Sequence, residues 1–418
     1  MRSSRMRSAG LLAAVASAVA LAAAPARADT VTDWNVYATN ALITTAQQAP
    51  TVSTIHLAMV HGAVYDAVNA IDREYEPYLV RPRARPWFSK DAAAATAAYR
   101  VLLNIVPAQK PTLDGQYAAS LAAIPDGLAK QGGIAVGETA AWAMIAARTG
   151  DGRFGPPGFP VGSAPGQWRP VLPAFVNDPN AWVARVEPFL IRRASQFRSA
   201  GPYDLDSRRY AREFEEVKQL GSATSTTRTA DQTAAARFWA EGPLTMTLLS
   251  RELSERFHLT VADNARLFAM QYLTGADALI AVWDDKAHWL FWRPITAIRE
   301  AGRDGNPDTR PDPAWVPLIN NPPYPEHSSG LIGVVSAMAE TLEDFFGTDR
   351  VAFVARNPNP QNPYPTRSFG SFSQATEEVV NARVWSGIHF RNADEDGARI
   401  GKQVARWRDR NYFEEDDD

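Results

Sequence analysis

The chain contains 418 residues, of which 45% are hydrophobic and 21% are charged, a composition typical of a globular protein that excludes disordered and fibrous classes. Its formal net charge of −3 comes without a long basic stretch, so DNA and RNA are not expected as partners. Cysteine is absent, which excludes disulfides, thiol catalysis and thiolate metal sites.

Residues 1–28 are predicted to be a cleavable secretory signal peptide. Three arginines lie within the first seven residues, an apolar run follows over residues 11–24, and an Ala-Arg-Ala cleavage pattern ends at Ala28. The apolar run is shorter than the roughly 20 residues that cross a bilayer, so no stable membrane anchor is expected. We therefore expect a secreted or periplasmic protein whose mature chain begins at Asp29.

The dominant hydrophobic period along the chain is helical. In residues 51–71, apolar and small residues recur every three or four positions, which predicts a helix that packs closely against a neighbour. Similar patterns predict seven further helices, over residues 92–106, 134–147, 230–239, 259–283, 330–346, 374–384 and 398–407. Strand-like alternation is rare, so the fold is predicted to be all-α.

Segments rich in proline and glycine separate these helices. Residues 152–173 and 306–325 cannot continue a helix and are predicted to be long loops with a functional role. A run of serine and threonine over residues 222–228 interrupts the helical pattern. We place a domain boundary there, between an N-terminal helical half (29–225) and a C-terminal helical half (226–418).

The first segment that suggests chemistry is KAHWLFWRP, which begins at Lys286. Lys286 and Arg293 are seven residues apart, or two helical turns, so both side chains are predicted to leave one face of a single helix. Three tryptophans surround the lysine, and they would form either a pocket wall or part of the core: Trp283, Trp289 and Trp292. The spacing predicts two cations that point to the same place.

The second segment is PPYPEHSSG, which leads directly into the predicted helix at Gly330. Its prolines keep the approach extended, and Ser328 or Ser329 is expected to cap the helix. The free N–H groups of the first helical turn and the helix dipole favour a bound anion. The segment therefore predicts an anion site at the helix start.

The third segment is ARVWSGIHFR, which places Arg383 six residues before His389. Gly387 would allow the backbone to turn between the cation and the imidazole. Each of the three segments alone has an ordinary structural explanation, as a solvated helix face, a helix cap or a hydrogen-bonded histidine. Their combination is much more specific.

In this order and spacing, the three segments resemble the vanadium-dependent haloperoxidases and the wider type 2 phosphatidic-acid phosphatase superfamily. The family pattern is K-x6-R-P, then P-S-G-H at a helix start, then S-R-x5-H, and it matches at Lys286, Arg293, Pro294, Ser329, Gly330, Arg383 and His389. Residues 57–71, 292–299 and 322–327 are also similar to a secreted bacterial haloperoxidase-like branch. The resemblance implies two four-helix bundles, with an oxyanion site in the second.

The resemblance also implies roles for the matched residues. A tetrahedral oxyanion needs several cations and directed donors, and the implied oxyanion-binding residues are Lys286, Arg293, Ser329, Gly330 and Arg383. His389 is implied as the vanadium ligand and Lys286 as the catalytic residue that polarises peroxide. The implied cofactor is vanadate, with phosphate able to use the same site, and the implied partners are hydrogen peroxide, a halide and a small organic acceptor.

The main departure from the family pattern lies directly after Gly330. The family has an acid-base histidine at that position, whereas this chain has Leu331. Loss of a positioned acid-base group typically costs about 10²- to 10⁴-fold in rate. His327 and His288 are the candidate replacements, and we favour His327 as the catalytic group because it precedes the helix start and could swing toward the anion. The alternative is that both histidines are structural.

A second departure concerns the residue that orients His389. The phosphatase pattern has an acid four residues after this histidine, where the chain has Ala393. Asp394, one residue further on, is the candidate for that orienting role.

These features favour an exported, vanadate-dependent haloperoxidase-like oxidoreductase. One alternative is an acid phosphatase that uses His389 as the nucleophile on a phosphate ester. The other is a catalytically impaired oxyanion-binding homologue that lost turnover because of Leu331.

Overall fold

The computed structural model describes residues 29–416, so the predicted signal peptide lies outside the described residues. Within this range the chain forms thirteen α-helices and one antiparallel pair of strands. The helices are α1 (Thr30–Thr39), α2 (Pro50–Asp72), α3 (Lys90–Ile105), α4 (Lys110–Ala122), α5 (Leu128–Ala147), α6 (Arg208–Leu220), α7 (Ala230–Phe238), α8 (Leu244–Arg256), α9 (Val261–Trp289), α10 (Pro294–Glu300), α11 (Gly330–Phe346), α12 (Phe372–Trp385) and α13 (Arg391–Asp409). The strands are β1 (Phe353–Arg356) and β2 (Thr366–Phe369). The all-α prediction is confirmed.

Two groups of helices share α9. In the first group, α2 packs against α3, α5 and α9. Residues 51–71 of α2 are all buried, including the polar residues His56, His61, Asp66 and Asn69. In the second group, α11 packs against α9, α12 and α13. The 29-residue helix α9 therefore runs through both groups, and its last turn lies in the second one.

All eight helices predicted from hydrophobic periodicity are confirmed, although several are longer than predicted. Sequence reasoning missed α1, α4, α6, α8 and α10 and the strand pair. The signal for α6 was present, because Tyr210, Phe214 and Val217 are spaced by four and three residues and are buried. The predicted boundary between residues 225 and 226 stays a prediction, although α6 packs against α10 and α12 across it.

The prediction that Lys286 and Arg293 share one helix face is wrong. Helix α9 ends at Trp289, and Leu290 adopts the left-handed conformation with φ 48°. Arg293 is the residue before α10, which begins at Pro294. Because proline fits only the first turn of a helix, it starts a new helix here instead of continuing α9.

The two predicted long loops contain no α-helix. Residues 306–325 make hydrogen bonds to α6 and α10 and lead to the start of α11. Within residues 29–416, no helix is both long enough and apolar enough to span a bilayer. The second predicted loop, residues 306–325, brings backbone and side chains to the site described next.

Candidate active site

Four functional side chains predicted from the sequence lie together in the second helical group. They are Lys286 in the last turn of α9, Arg293 before α10, Arg383 near the end of α12 and His389 before α13, and all are buried. Arg293 Nη1 lies 3.3 Å from His389 Nε2. The Tyr324 ring centroid is 5.0 Å from both Lys286 Nζ and Arg293 Cζ. The three sequence segments thus converge on one buried place.

The Lys286 ammonium group is held by backbone carbonyls. Its Nζ donates to the carbonyl oxygens of Pro325, at 2.8 Å, and Glu326, at 3.0 Å. Burial lowers the pKa of Lys286 well below its ordinary value, and the nearby Arg293 cation lowers it further. Among the described residues, no carboxylate forms an ion pair with Lys286, Arg293 or Arg383. The cluster therefore carries positive charge that lacks a paired anion.

The two arginines have unused donors. Arg293 donates from Nε to the Tyr324 carbonyl at 2.9 Å and from Nη1 to the Ile388 carbonyl at 2.8 Å, while its Nη2 makes no well-aligned hydrogen bond. Arg383 donates from Nη1 to the Trp239 carbonyl at 3.3 Å, while its Nε lacks an acceptor. Burial lowers the pKa of Arg293 to about 10 and also lowers the pKa of Arg383. Buried donors without acceptors are rare and favour a bound acceptor-rich ligand.

Glu326 orients the His389 ring. Its Oε1 lies 3.0 Å from His389 Nδ1 and accepts the Phe390 backbone N–H at 2.9 Å. We assign the proton to Nδ1, so Nε2 carries the lone pair, which accepts from Arg293 Nη1 at 3.3 Å and is the atom available as a ligand. Burial and the Arg293 cation lower the pKa of His389 well below its ordinary value, so the ring is neutral near pH 7. The prediction that Asp394 orients His389 is wrong, because the Glu326 carboxylate makes this contact instead.

Gly387 provides the turn that brings His389 back toward Arg383. Its φ is +79°, and a Cβ at this position would collide with the backbone carbonyl of Gly221. Only glycine fits such a close approach at positive φ without strain. The glycine predicted to turn the backbone therefore does so in the structure.

The start of α11 has no side-chain cap. Ser329 is the N-cap residue, but its hydroxyl makes no well-aligned hydrogen bond, and Ser328 Oγ instead donates to Asp285 Oδ2 at 2.8 Å. The prediction that one of these serines caps the helix is therefore wrong. The next residue, Gly330, leaves no room for a side chain, because a Cβ there would lie 2.7 Å from the Trp283 ring. The uncapped first turn keeps its positive dipole end available for an anion.

Asp394 is a buried carboxyl group beside this helix start. Neither of its oxygens makes a well-aligned hydrogen bond, although it lies close to Ser329 and Arg383. Burial raises its pKa well above the ordinary value; Glu326 adds to this rise, whereas Ser329, Arg383 and Arg391 oppose it. In its neutral form Asp394 does not cancel the positive charge of the cluster.

The two histidines proposed as replacements for the missing acid-base group, His327 and His288, contact other residues in the structure. His327 is buried, and its Nε2 lies 3.0 Å from Ser199 Oγ and 3.1 Å from Asp396 Oδ2. It is held in this polar network, so the predicted swing toward the anion is not seen in the structure. His288 is exposed and its ring contacts Trp289 edge to face. Neither geometry supports an acid-base role.

A cavity of about 510 Å³ lies next to the cluster. We call it the anion cavity; its lining includes Trp283, Tyr324, Gly330, Leu331 and Arg383. Leu331 is half-buried on its wall, so the position that carries a histidine in the family pattern presents an apolar side chain here. The cavity gives small molecules a route to Arg383 and the start of α11.

Only one of the three tryptophans near Lys286 lines the anion cavity. Trp283 does so, with its ring centroid 5.7 Å from Lys286 Nζ. Trp292 is buried in a separate apolar cluster with α6 residues, and Trp289 packs on Gly201. The predicted pocket wall is therefore limited to Trp283, and the other two tryptophans have packing roles.

The residues of the cluster fit a tetrahedral oxyanion such as vanadate. Three buried basic side chains form no ion pair with a carboxylate, and Arg293 Nη2, Arg383 Nε and Ser329 Oγ are buried polar atoms without well-aligned partners. An oxyanion supplies both the negative charge and several acceptor oxygens that these groups need. His389 Nε2 is the nitrogen atom that could serve as a ligand to such a group.

Comparison with known proteins shows that part of the chain is similar to vanadium haloperoxidases. Residues 266–412, which contain all the matched motif positions, match the family model of the VCPO second helical-bundle domain. This segment belongs to that domain family, and the resemblance noted in the sequence is confirmed. The fold is similar to that of the vanadium haloperoxidases.

Three similar proteins carry the names of vanadium enzymes. A bacterial vanadium-dependent iodoperoxidase structure has a TM-score of 0.81 at 23% identity and covers 94% of this chain and 100% of its own. A bacterial vanadium-dependent chloroperoxidase in holo form has a TM-score of 0.69 at 18% identity, and the match covers 86% of this chain and 92% of that one. Vanadium chloroperoxidase of Curvularia inaequalis is 39% identical over 79 residues, which is 16% of this chain and 12% of that relative. The two structural likenesses establish the fold alone.

Proposed function

We propose that this protein is an exported, vanadate-dependent haloperoxidase-like oxidoreductase that oxidises a halide with hydrogen peroxide. The observation that carries the proposal is the convergence of three buried basic side chains that form no ion pair, Lys286, Arg293 and Arg383, around a neutral His389 whose Nε2 lies 3.3 Å from Arg293 Nη1. Vanadate, when bound, supplies the Lewis acid that activates peroxide toward a halide. The chain itself binds, orients and neutralises this group.

The oxyanion would be bound by groups that are already in place. Arg293 Nη2, Arg383 Nε and Ser329 Oγ would donate to its oxygens, together with the amide of Gly330. Lys286 would add a positive charge whose position is preset by two backbone carbonyls. Preorganised donors of this kind stabilise developing negative charge at little cost in reorganisation.

His389 would supply the nitrogen ligand. The hydrogen bond from its Nδ1 to Glu326 holds the ring orientation and increases the basicity of Nε2. The lowered pKa of His389 keeps Nε2 unprotonated and therefore able to bind.

Proton transfer is the weak point of this site. Leu331 offers no exchangeable proton, and His327 is held by Ser199 and Asp396. Protons would then come from water in the anion cavity, so we expect turnover to be about 10²- to 10⁴-fold slower than with a positioned acid-base group.

The proposal is tested by loading the purified protein with orthovanadate, dialysing it and measuring bound vanadium. Peroxide-dependent oxidation of iodide, bromide and chloride is then assayed beside hydrolysis of a chromogenic phosphate ester. Stoichiometric vanadium with halide oxidation is the expected result. Arg383→Met should reduce vanadium binding, whereas the control Arg406→Met, at a side chain that is 64% exposed, should not.

A phosphatase is the second candidate, because a neutral His389 Nε2 in the same cationic site could attack phosphorus. Ester hydrolysis without halide oxidation would support this function and contradict the first. Bound vanadium with neither activity would instead indicate an oxyanion-binding homologue that has lost turnover.

Export is part of the proposal and rests on the sequence of residues 1–28. Expression of the full chain in a bacterial host with secretion competence should give an extracytoplasmic product that begins at Asp29. N-terminal sequencing checks this expectation, and an uncleaved cytoplasmic product would contradict it.

A further inference from the structure

A second, smaller cavity adjoins the anion cavity. It has a volume of about 120 Å³, and we call it the side chamber; its apolar lining includes Ile43, Leu57, Leu244, Gly275 and Met338. Pro50, Thr54 and Pro243 line both spaces. The side chamber is therefore next to the anion cavity, on the side of α2 and α8.

The polar side chains around the side chamber are occupied elsewhere. Thr54 Oγ1 donates to the Pro50 carbonyl at 2.7 Å, and Thr247 Oγ1 lies 2.8 Å from the hydroxyl of Tyr272. Gln48 Oε1 lies 2.8 Å from the ring nitrogen Nδ1 of His56. Because these oxygen atoms already have partners, the chamber presents mainly apolar surface to a ligand.

The volume of the side chamber suits one aromatic ring. An apolar cavity of roughly 150 Å³ inside a protein remains dry and binds benzene. Part of the wall is Ile43, which lies in a π-helical segment over Asn40–Thr45. Such segments are rare and are found frequently at functional sites.

We propose that the side chamber binds an aromatic ring, or an apolar group of that size, of an organic molecule whose remaining part lies in the anion cavity. Thr54 and Pro243, which line both spaces, would contact the ligand at the junction. The identification of this molecule as the organic acceptor of the oxidised halogen rests on the proposed function. The binding itself does not depend on turnover.

The test measures toluene binding to the full-length mature protein without vanadate, peroxide or halide, by calorimetry and by thermal shift. Gly275→Ala is the informative variant, because its Cβ would lie 3.4 Å from Met338 Cγ and 3.6 Å from Val334 Cγ1, which are ordinary contacts. The added methyl group fits but takes up chamber volume. We expect toluene affinity to fall by about tenfold or more, the effect of one methylene in a tight apolar pocket.

Gly115→Ala is the matched control. Gly115 lies within α4 on the surface, and a Cβ there would meet no atom within 4 Å. Both substitutions replace a helical glycine by alanine, so their effects on helix stability are similar. Toluene should bind to Gly115→Ala as to the wild type.

A second variant, Met338→Ala, enlarges the side chamber and should strengthen binding of naphthalene relative to toluene. A crystal soaked with bromobenzene should show its bromine signal in the chamber. The proposal is overturned if toluene does not bind to the wild type, if Gly275→Ala and Gly115→Ala bind it equally, or if the bromine lies elsewhere. If toluene binds but the protein oxidises no halide, the proposal for the side chamber stands and only the proposed function is contradicted.

Discussion

Among single residues, Glu326 has the role that matters most for the chemistry of His389. One of its carboxylate oxygens binds both the imidazole Nδ1 and the Phe390 amide, and the other makes no hydrogen bond within the described part of the chain. Outer residues that orient a ligand typically contribute about 10- to 100-fold in metal affinity.

Glu326→Asp tests this role, because it keeps the negative charge but shortens the side chain so that the carboxylate cannot reach Nδ1. We expect vanadate affinity to fall by about 10- to 100-fold, measured by equilibrium dialysis. Glu326→Gln, which keeps the length and an acceptor oxygen, is the control and should lose less. Wild-type affinity in Glu326→Asp would show that the contact is only structural.

Leu331 is the residue that we expect to limit turnover. Leu331→His restores an imidazole at the wall of the anion cavity and should raise halide oxidation by at least about tenfold, because a positioned acid-base group contributes about 10²- to 10⁴-fold. Leu331→Gln, which is polar but exchanges no proton near neutral pH, serves as the control. If turnover does not rise in Leu331→His, the geometry of the site has diverged as well.

At the level of secondary structure elements, the contact between α11 and α13 sets the position of Ser329. A Cβ on Gly397 would lie 2.5 Å from the Ser329 carbonyl oxygen and 3.0 Å from the Ile332 side chain. The backbones of the two helices therefore approach each other closely at the start of α11. Overpacking at such contacts typically costs about 1–3 kcal/mol of stability.

Gly397→Ala should separate the start of α11 from α13, with two measurable effects. The free energy of unfolding in urea should fall by about 1–3 kcal/mol, and vanadate affinity should fall because Ser329 and the Gly330 amide move. Gly115→Ala on the surface of α4 is the control, and it should lower neither the free energy of unfolding nor the vanadate affinity. A loss of stability without any change in vanadate affinity would contradict the proposed position of the oxyanion.

For the molecule as a whole, acid stability should depend on two histidines in α2. His56 and His61 are both buried, and burial lowers the pKa of each to about 3. Below pH 6.5 the unfolded chain binds protons at these residues, whereas the folded chain does not until about pH 3. The free energy of unfolding should therefore decrease as pH falls from 6.5 toward 3.

Each of these histidines contributes a slope of up to about 1.4 kcal/mol per pH unit in this range. His56→Gln should reduce the slope by up to that amount, measured from urea unfolding at pH 7, 6, 5 and 4. His258→Gln, at an exposed position, is the matched control and should follow the wild type. Equal slopes for His56→Gln and the wild type would contradict the prediction.

The sequence alone was sufficient for the helical class, for eight of the helices and for the four side chains that lie together, Lys286, Arg293, Arg383 and His389. These depend on local properties, namely the period of apolar residues and the spacing of charged residues in short motifs. Short helices such as α4, which has a single buried residue, carry too weak a period to be recognised.

Only the tertiary structure could decide which side chains face one another. Glu326 and His389 are 63 residues apart, and Ser199 and His327 are 128 apart, so neither contact follows from local spacing. The break after Trp289 brought Lys286 and Arg293 together through a turn instead of along a helix face. The side chamber likewise depends on α2, α8, α9 and α11 packing around one space. Periodicity shows which face of a segment is buried, but the partner of that face is set by how the whole chain packs.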